Sequence, residues 1–348
     1  MFQRILVPLD GSAGAECAIP VAARIARATG GAIVFLRVVM APADHGTYAA
    51  GAHGTIAAQP EAKTSDKELA DAASYLVATI DAYAGDLAGI QTETDVASGA
   101  TAPMIFSAAR DAHIDLIVMC SHGEAGITRW VLGSVAHEAV RHSPVPVLVL
   151  HEQGKTLPAP DVAHPLRVLV PLDGSALAET ALEPAAQLLV AVAAPPQSEV
   201  HLVRVVDLPP AYGHLKSQAH ISDGVQEEAR GEAETYVKAV ADRLRATSFA
   251  QTFKLNITSS VAVSTDVAGT ITRLAEPAGD AERSAGSELI VMATHGRSGL
   301  RHLVLGSVTE RVLDETLLPL LIVRPKEPGE AVHVEITEVE LQSWPGLL

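Results

Sequence analysis

Leu6-Val7-Pro8-Leu9-Asp10-Gly11-Ser12 recurs without change as Leu169-Val170-Pro171-Leu172-Asp173-Gly174-Ser175. The repetition continues in the same order. Arg37-Val38-Val39 answers Arg204-Val205-Val206, and Leu116-Ile117-Val118-Met119 answers Leu289-Ile290-Val291-Met292. Val131-Leu132-Gly133-Ser134-Val135 then answers Val304-Leu305-Gly306-Ser307-Val308. A repeat this long is a whole domain written twice. The spacing between matches grows along the chain, which places a net insertion in the second copy, most simply in the polar stretch Glu276 to Ser287. Between the copies, His151 to Pro165 holds three prolines and a glycine and reads as a linker. The expected organisation is domain 1 over 1–151, linker 152–164, domain 2 over 165–325 and a tail over 326–348.

The length of 348 residues agrees with two domains, each able to bury a core. Hydrophobic residues make up 48%, charged residues 19% and aromatics 3%, the composition of a globular chain with an aliphatic interior. Lys and Arg number 25 against 41 Asp and Glu, a formal net charge of −16. Such a surface repels nucleic acid and anionic lipid, so any bound phosphate has to be held locally. Cys17 and Cys120 are too few for a disulfide framework and have no metal-ligand spacing, which fits a reducing cytoplasm. Met1 to Gly11 carries no basic leader with an apolar run behind it, and the apolar stretch near Leu188 to Ala194 is far short of a membrane span. A cytoplasmic location is expected, with no membrane and no nucleic-acid partner.

Each copy alternates strand and helix. Ile5 to Val7 is a short strand ending at Pro8, and Ser12 caps a helix whose apolar positions are Ala15, Ile19, Ala22 and Ala26, stopped by Gly30-Gly31. Ala32 to Val39 is a continuous apolar strand, and Pro42 to Pro60 is a polar loop. Leu69, Ala73, Leu76, Ile80 and Tyr83 keep a helical period, while Ile90, Thr92, Thr94 and Val96 alternate as in a half-exposed strand. Pro103 opens a helix, Leu116 to Cys120 is a buried strand, Ser134 to His142 a helix and Pro146 to Leu150 a strand. In the second copy Ala229, Ala233, Tyr236, Val240 and Leu244 mark the long helix. Strands apolar throughout and alternating with helices predict an α/β fold, two tandem doubly wound parallel sheets of Rossmann-like type.

Ligands of such sheets lie beyond the carboxyl ends of the strands, where the strand order reverses. The repeated motifs fall there. Asp10 and Asp173 follow the first strand of each copy, where a carboxylate can take a ribose hydroxyl or a metal, although Asp-Gly-Ser is also turn and cap chemistry. Gly123 is followed after nine residues by Gly133-Ser134 at a helix start, and Gly296 likewise by Gly306-Ser307. Glycines before a helix N-terminus offer phosphate close backbone approach, free N–H donors and a positive dipole end, or else only a well-packed turn. Two copies, each with its own Pro-x-Asp, favour the ligand.

Both halves resemble universal stress protein domains, nucleotide-binding modules of the adenine-nucleotide alpha-hydrolase-like fold. The motif carrying the resemblance is Pro8, Asp10, Val38, Gly123, Gly133 and Ser134, and again Pro171, Asp173, Val205, Gly296, Gly306 and Ser307. The resemblance implies that Asp holds ribose, that Pro and Val line an adenine pocket beside Met119 and Met292, and that the glycine-rich segment cradles phosphates. The family's first signature glycine is replaced by Cys120 and Ala293, both small, which narrows the loop without closing it. The implied ligand is ATP, or ADP or AMP, with magnesium or manganese, and the implied role is regulatory binding in a stress response more than catalysis. A slow ATPase or phosphotransferase and a nucleotide-free scaffold are the competing readings. The first lacks an evident base or catalytic Lys, and the glycine loops argue against the second.

Other motifs fail on spacing. Gly154-Lys155-Thr156 imitates a P-loop end, but Val149 stands where its glycine is required, and Arg141 occupies the second histidine position of a zinc-protease pattern begun by His137-Glu138. Ser12 and Ser175 show no His/Asp arrangement. Val147 to Leu150 and Leu320 to Val323 are apolar strands at matching ends, expected to pair with each other inside one chain, with a homodimer as a further step; separate sheets are the alternative. Val332, Val334 and Ile336 alternate as an added strand would. Arg297 beside the second phosphate segment, against Glu124 beside the first, predicts a tighter second site. Titration calorimetry of the parent and Glu124→Arg checks this: two classes of site should merge in the variant, and a single class in both proteins would contradict it.

Overall fold

The computed structural model describes residues 2–40, 64–121, 132–151, 154, 157, 166–193, 198–207, 216–276, 286–294 and 305–324. Its elements follow from the alternation in the sequence. The first half runs β1 (Arg4–Leu9), α1 (Ala13–Glu16), α2 (Ala18–Thr29), β2 (Ala32–Val39), α3 (Asp66–Ala82), β3 (Gln91–Ser98), α4 (Thr101–Asp111), β4 (Leu116–Cys120), α5 (Ser134–His142) and β5 (Val147–Leu150). The second runs β6 (Arg167–Pro171), α6 (Ala176–Glu179), α7 (Leu182–Val192), β7 (Glu199–Val206), α8 (Lys216–Arg245), α9 (Ser248–Thr252), β8 (Asn256–Val263), α10 (Val267–Ala275), β9 (Leu289–Ala293), α11 (Ser307–Glu315) and β10 (Leu320–Val323).

Each half forms a parallel sheet because helical crossovers return every strand in the same direction. The two sheets become one of ten strands, ordered β3-β2-β1-β4-β5-β10-β9-β6-β7-β8. Among the described strands, the one antiparallel step is at the centre, where Val149, Leu148 and Val147 face Leu320, Leu321 and Ile322. The two terminal strands therefore pair within the chain and do not belong to separate sheets. Leu148 and Leu321, opposite each other, have no exposure. One core, under α2, α3, α7 and α8, runs through both halves on one face. A second, under α4, α5, α10 and α11, does the same on the other. Across the centre Arg141 of α5 donates to Glu310 of α11 at 2.8 Å.

Several boundaries differ from expectation for local reasons. The helix after Ser12 is two helices broken at Cys17, because Pro20 has no N–H to give the carbonyl of Glu16 four residues back. Pro184 breaks the second copy between α6 and α7 in the same way. The stop of α2 is as expected, with Gly30 in the left-handed conformation at φ 66°. β1 continues past Pro8 to Leu9, since its pairing to β4 involves only Ile5 and Leu6. In the second copy Leu172 donates to Val203 of β7, so the imide nitrogen of Pro171 points to the unpaired side. α4 starts at Thr101, ahead of Pro103, which sits in the first turn where no N–H is needed. The buried stripe of α3 is Ala72, Leu76 and Thr79, with Ala73 exposed. Ile90 precedes β3 and Thr94 is exposed.

The insertion is split. The segment from Val192 to Glu199 is longer than its counterpart from Thr29 to Ala32, as is that from Ala275 to Leu289 against Asp111 to Leu116. Of the linker, Leu157 is buried and its carbonyl takes Arg24 at 3.4 Å. The polar loop after Pro42 and the alternating tail lie outside the described residues.

A core shared across the centre should unfold as one unit. Calorimetry should show one transition, and Leu321→Ala should destabilise the whole chain by about 2–5 kcal/mol. Two resolved transitions, one unmoved by the substitution, would contradict the shared core. A pH effect follows from His201 in β7, whose Nδ1 lies 2.7 Å from Thr258 Oγ1 and Nε2 2.9 Å from Ser260 Oγ. Burial, and then the Arg167 guanidinium, push its pKa down to about 4, with Glu199 opposing. The native state keeps a neutral ring that the unfolded chain protonates near ~6.5, so this stability is present above pH ~6.5 and is lost toward pH 4. Denaturant titrations from pH 7 to 4 should show that loss flattened in His201→Gln.

Candidate functional site

The chain leaves β1 for β2 and β3 on one side and resumes with β4 and β5 on the other, so β1 and β4 part at their carboxyl ends. Their pairing stops at Leu6 and Ile117, and a cleft of about 780 Å³ opens beyond. Pro8, Asp10, Val38, Met119, Cys120, Gly133 and Ser134, all picked out in the sequence, line it together.

On the β1 bank, Gly11 takes φ 92°, a conformation that spares only glycine strain, and folds the chain so that Ser12 returns to Asp10. Asp10 Oδ1 accepts the Ser12 amide at 2.9 Å and its hydroxyl at 2.6 Å. Ser12 Oγ accepts the Ala15 amide at 3.1 Å and so caps α1. The turn-and-cap chemistry is therefore real, and it fixes the carboxylate at the cleft.

Arg37, beside Val38, also lines the cleft; it donates to the Leu9 carbonyl at 3.2 Å and lies 5.6 Å over the ring of Tyr75. Tyr75 donates to Glu16 at 2.9 Å. Burial, followed by the Glu16 carboxylate, raises the Tyr75 hydroxyl to about 12, so it stays a donor. The sequence reading passed over Glu16 and Tyr75, although the signal was present in the repeat. Glu179 stands for Glu16, Arg204 for Arg37 and Tyr236 for Tyr75, with Tyr236 to Glu179 at 3.0 Å and Arg204 at 5.5 Å over the Tyr236 ring. Ser175 binds Asp173 at the same 2.9 and 2.6 Å.

On the β4 bank, Ser121 donates to Leu150 at 2.7 Å and its carbonyl accepts the Gly133 amide at 2.7 Å. The segment that leaves β4 thus returns to its own base before Ser134 opens α5. Thr294 and Gly306 repeat this at 2.9 Å, with Ser307 opening α11. Pro171 ends β6 and Asp173 follows two residues later, Val205 lies in β7, and Met292 and Ala293 end β9. Gly123, Glu124, Gly296 and Arg297 lie outside the described residues. Among the described residues, the charged ones lining the cleft are Arg37, Asp10, Glu68 and Asp71. Among the described residues no cluster of three or more His, Cys, Asp or Glu is arranged to hold a metal.

The cysteines correct the sequence reading. Cys17 and Cys120 form a disulfide, 103 residues apart in sequence and 6.7 Å between Cα atoms. The fold brings the α1–α2 junction against the end of β4, so two cysteines without a spacing pattern meet, and their number no longer argues for a reducing compartment. Among the described residues no helix is long and apolar enough to cross a membrane.

The profile of the universal stress protein family matches residues 1–151 and 166–324. A universal stress protein of Mycobacterium tuberculosis is 27% identical over 215 residues, 60% of this chain and 62% of its own length, so the match spans under two thirds of that relative. One from Mycolicibacterium smegmatis is 24% identical over 329 residues, 92% of this chain and 97% of its own. Among solved structures, a putative universal stress protein from Pseudomonas aeruginosa aligns with a TM-score of 0.59 at 15% identity, covering 93% and 94% of the two chains. One from Archaeoglobus fulgidus gives 0.53 at 19%, covering 94% and 98%. These structural likenesses concern the fold.

Removing the Tyr75 hydroxyl takes a donor from a partly buried carboxylate. Tyr75→Phe should lower stability by about 1–3 kcal/mol in urea titrations, and Tyr236→Phe by a similar amount. An unchanged midpoint for both would show that these bonds do not hold the first helix of each half.

Proposed function

The chain belongs to the universal stress protein family, and on that footing we propose that it is an ATP-binding regulatory protein of the stress response, with ADP or AMP as alternative ligands. The observation that carries this reading is the convergence of Pro8, Asp10, Val38, Met119, Gly133 and Ser134 on one cleft of about 780 Å³ at the switch point, within the range of small-molecule sites. Asp10 and Asp173 would take the ribose. Pro8, Val38 and Met119, with Pro171, Val205 and Met292, would flank adenine. Gly123, Gly133 and Ser134, with Gly296, Arg297, Gly306 and Ser307, would meet the phosphates, and Cys120 and Ala293 would stand at the start of each loop.

Among the described residues of the cleft, three carboxylates against one guanidinium disfavour a bare polyphosphate, which supports magnesium or manganese accompanying the nucleotide. Lacking a ready-made cluster of ligands among the described residues, the metal would be held chiefly by the phosphates. It would supply charge neutralisation. Ser12 gives its hydrogen to Asp10 and takes the Ala15 amide, which makes it a cap and supports a binder over a nucleophilic enzyme. A nucleotide sensor works where nucleotide is plentiful, so the proposed location is the cytoplasm. Pairing of two chains is part of the same proposal.

Ligand bound to the native state alone adds about 2.7 kcal/mol at a hundred times its dissociation constant. ATP with magnesium should raise the melting temperature by several degrees, and Gly133→Val with Gly306→Val should abolish the rise while circular dichroism stays unchanged. A double variant that responds like the parent would overturn the site.

A further inference from the structure

We propose that Cys17 and Cys120 are a redox-modification site that sets the nucleotide affinity of the first-half cleft, oxidised by a peroxide or small disulfide and reduced by a dithiol. The inference rests on the nucleotide reading above. Cys120 ends β4, lines the cleft and is 7% exposed. Cys17 sits at the break between α1 and α2, partly open to solvent. The bond joins the two banks of the crevice. On one side α1 carries the cap over the Asp10 turn, the cleft residue Ala15 and Glu16 with its Tyr75 partner. On the other, Ser121 next to Cys120 closes the base of the loop through Gly133.

The second half has no such tie. Thr180 follows α6 where Cys17 follows α1, and Ala293 ends β9 where Cys120 ends β4. One chain thus holds a tethered site and an untethered one of the same design. The bonded state holds the banks in the spacing a ligand needs, so ordering them costs nothing on binding.

Oxidation removes two protons and two electrons from the thiols. With hydrogen peroxide one thiolate takes the terminal oxygen to become a sulfenic acid, the other displaces it, and two waters result. In reduction a dithiol's thiolate attacks Sγ of Cys17, the more accessible sulfur, and Cys120 leaves as thiolate. The reductant's second thiol then attacks its own mixed-disulfide sulfur, leaving a cyclic disulfide and releasing Cys17; its two protons end on Cys17 and Cys120.

The test uses full-length Gly306→Val, which keeps only the first-half site, and Gly133→Val, which keeps only the second. Each is poised with hydrogen peroxide or dithiothreitol, its bond content is read by alkylation and intact mass, and it is titrated with ATP and magnesium. The first-half site should weaken about tenfold on reduction, the second-half site should not change, and Gly306→Val with Cys17→Ser should bind like the reduced form at either poise. Free thiols after oxidation, or equal first-half affinity in both states, would overturn the redox proposal and leave the nucleotide reading standing. Absence of ATP binding in the parent at either poise would overturn the nucleotide reading and this proposal with it.

Discussion

The antiparallel meeting of β5 and β10 is the contact on which the molecule depends. Each is a four-residue strand that is wholly buried, and in a separate domain each would be an open apolar edge. Joined, they turn two five-stranded sheets into one and let both cores run through the centre. The duplication also repeats the Asp-Ser turn and the loop-base hydrogen bond of the first half on the other side of that seam.

Repetition made most of this legible. A motif seen twice sets the domain period, and apolar runs such as Ala32 to Val39 and Leu116 to Cys120 became strands with those limits, the second buried throughout and the first from Ala32 to Leu36. Features that depend on one backbone atom were harder. The breaks at Cys17 and Thr180 come from Pro20 and Pro184, whose effect falls three to four residues earlier in the chain. The stripe of α3 shifted from Ala73 to Ala72 because alanine fits either side of a helix boundary and gives the period little to hold.

The same contrast holds in the site. Asp10, Pro8, Val38 and Gly133 were readable because they stand at the ends of recognisable strands or before a helix. Glu16 and Tyr75 come from helices whose relative placement no local pattern gives, yet their counterparts Glu179 and Tyr236 make the same bond. The cysteines were misread for the opposite reason. Spacing rules describe ligands close in sequence, and a crossover fold can join residues 103 apart.

The central claim is that two equivalent crevices hold adenine nucleotide. A crystal structure of the full-length chain grown with ATP and magnesium tests it most directly. The account predicts nucleotide beyond β1 and β6, with ribose hydroxyls on Asp10 and Asp173 and adenine against Pro8 and Val38 and against Pro171 and Val205. Saturating nucleotide that leaves both crevices empty, or that binds elsewhere, would contradict it.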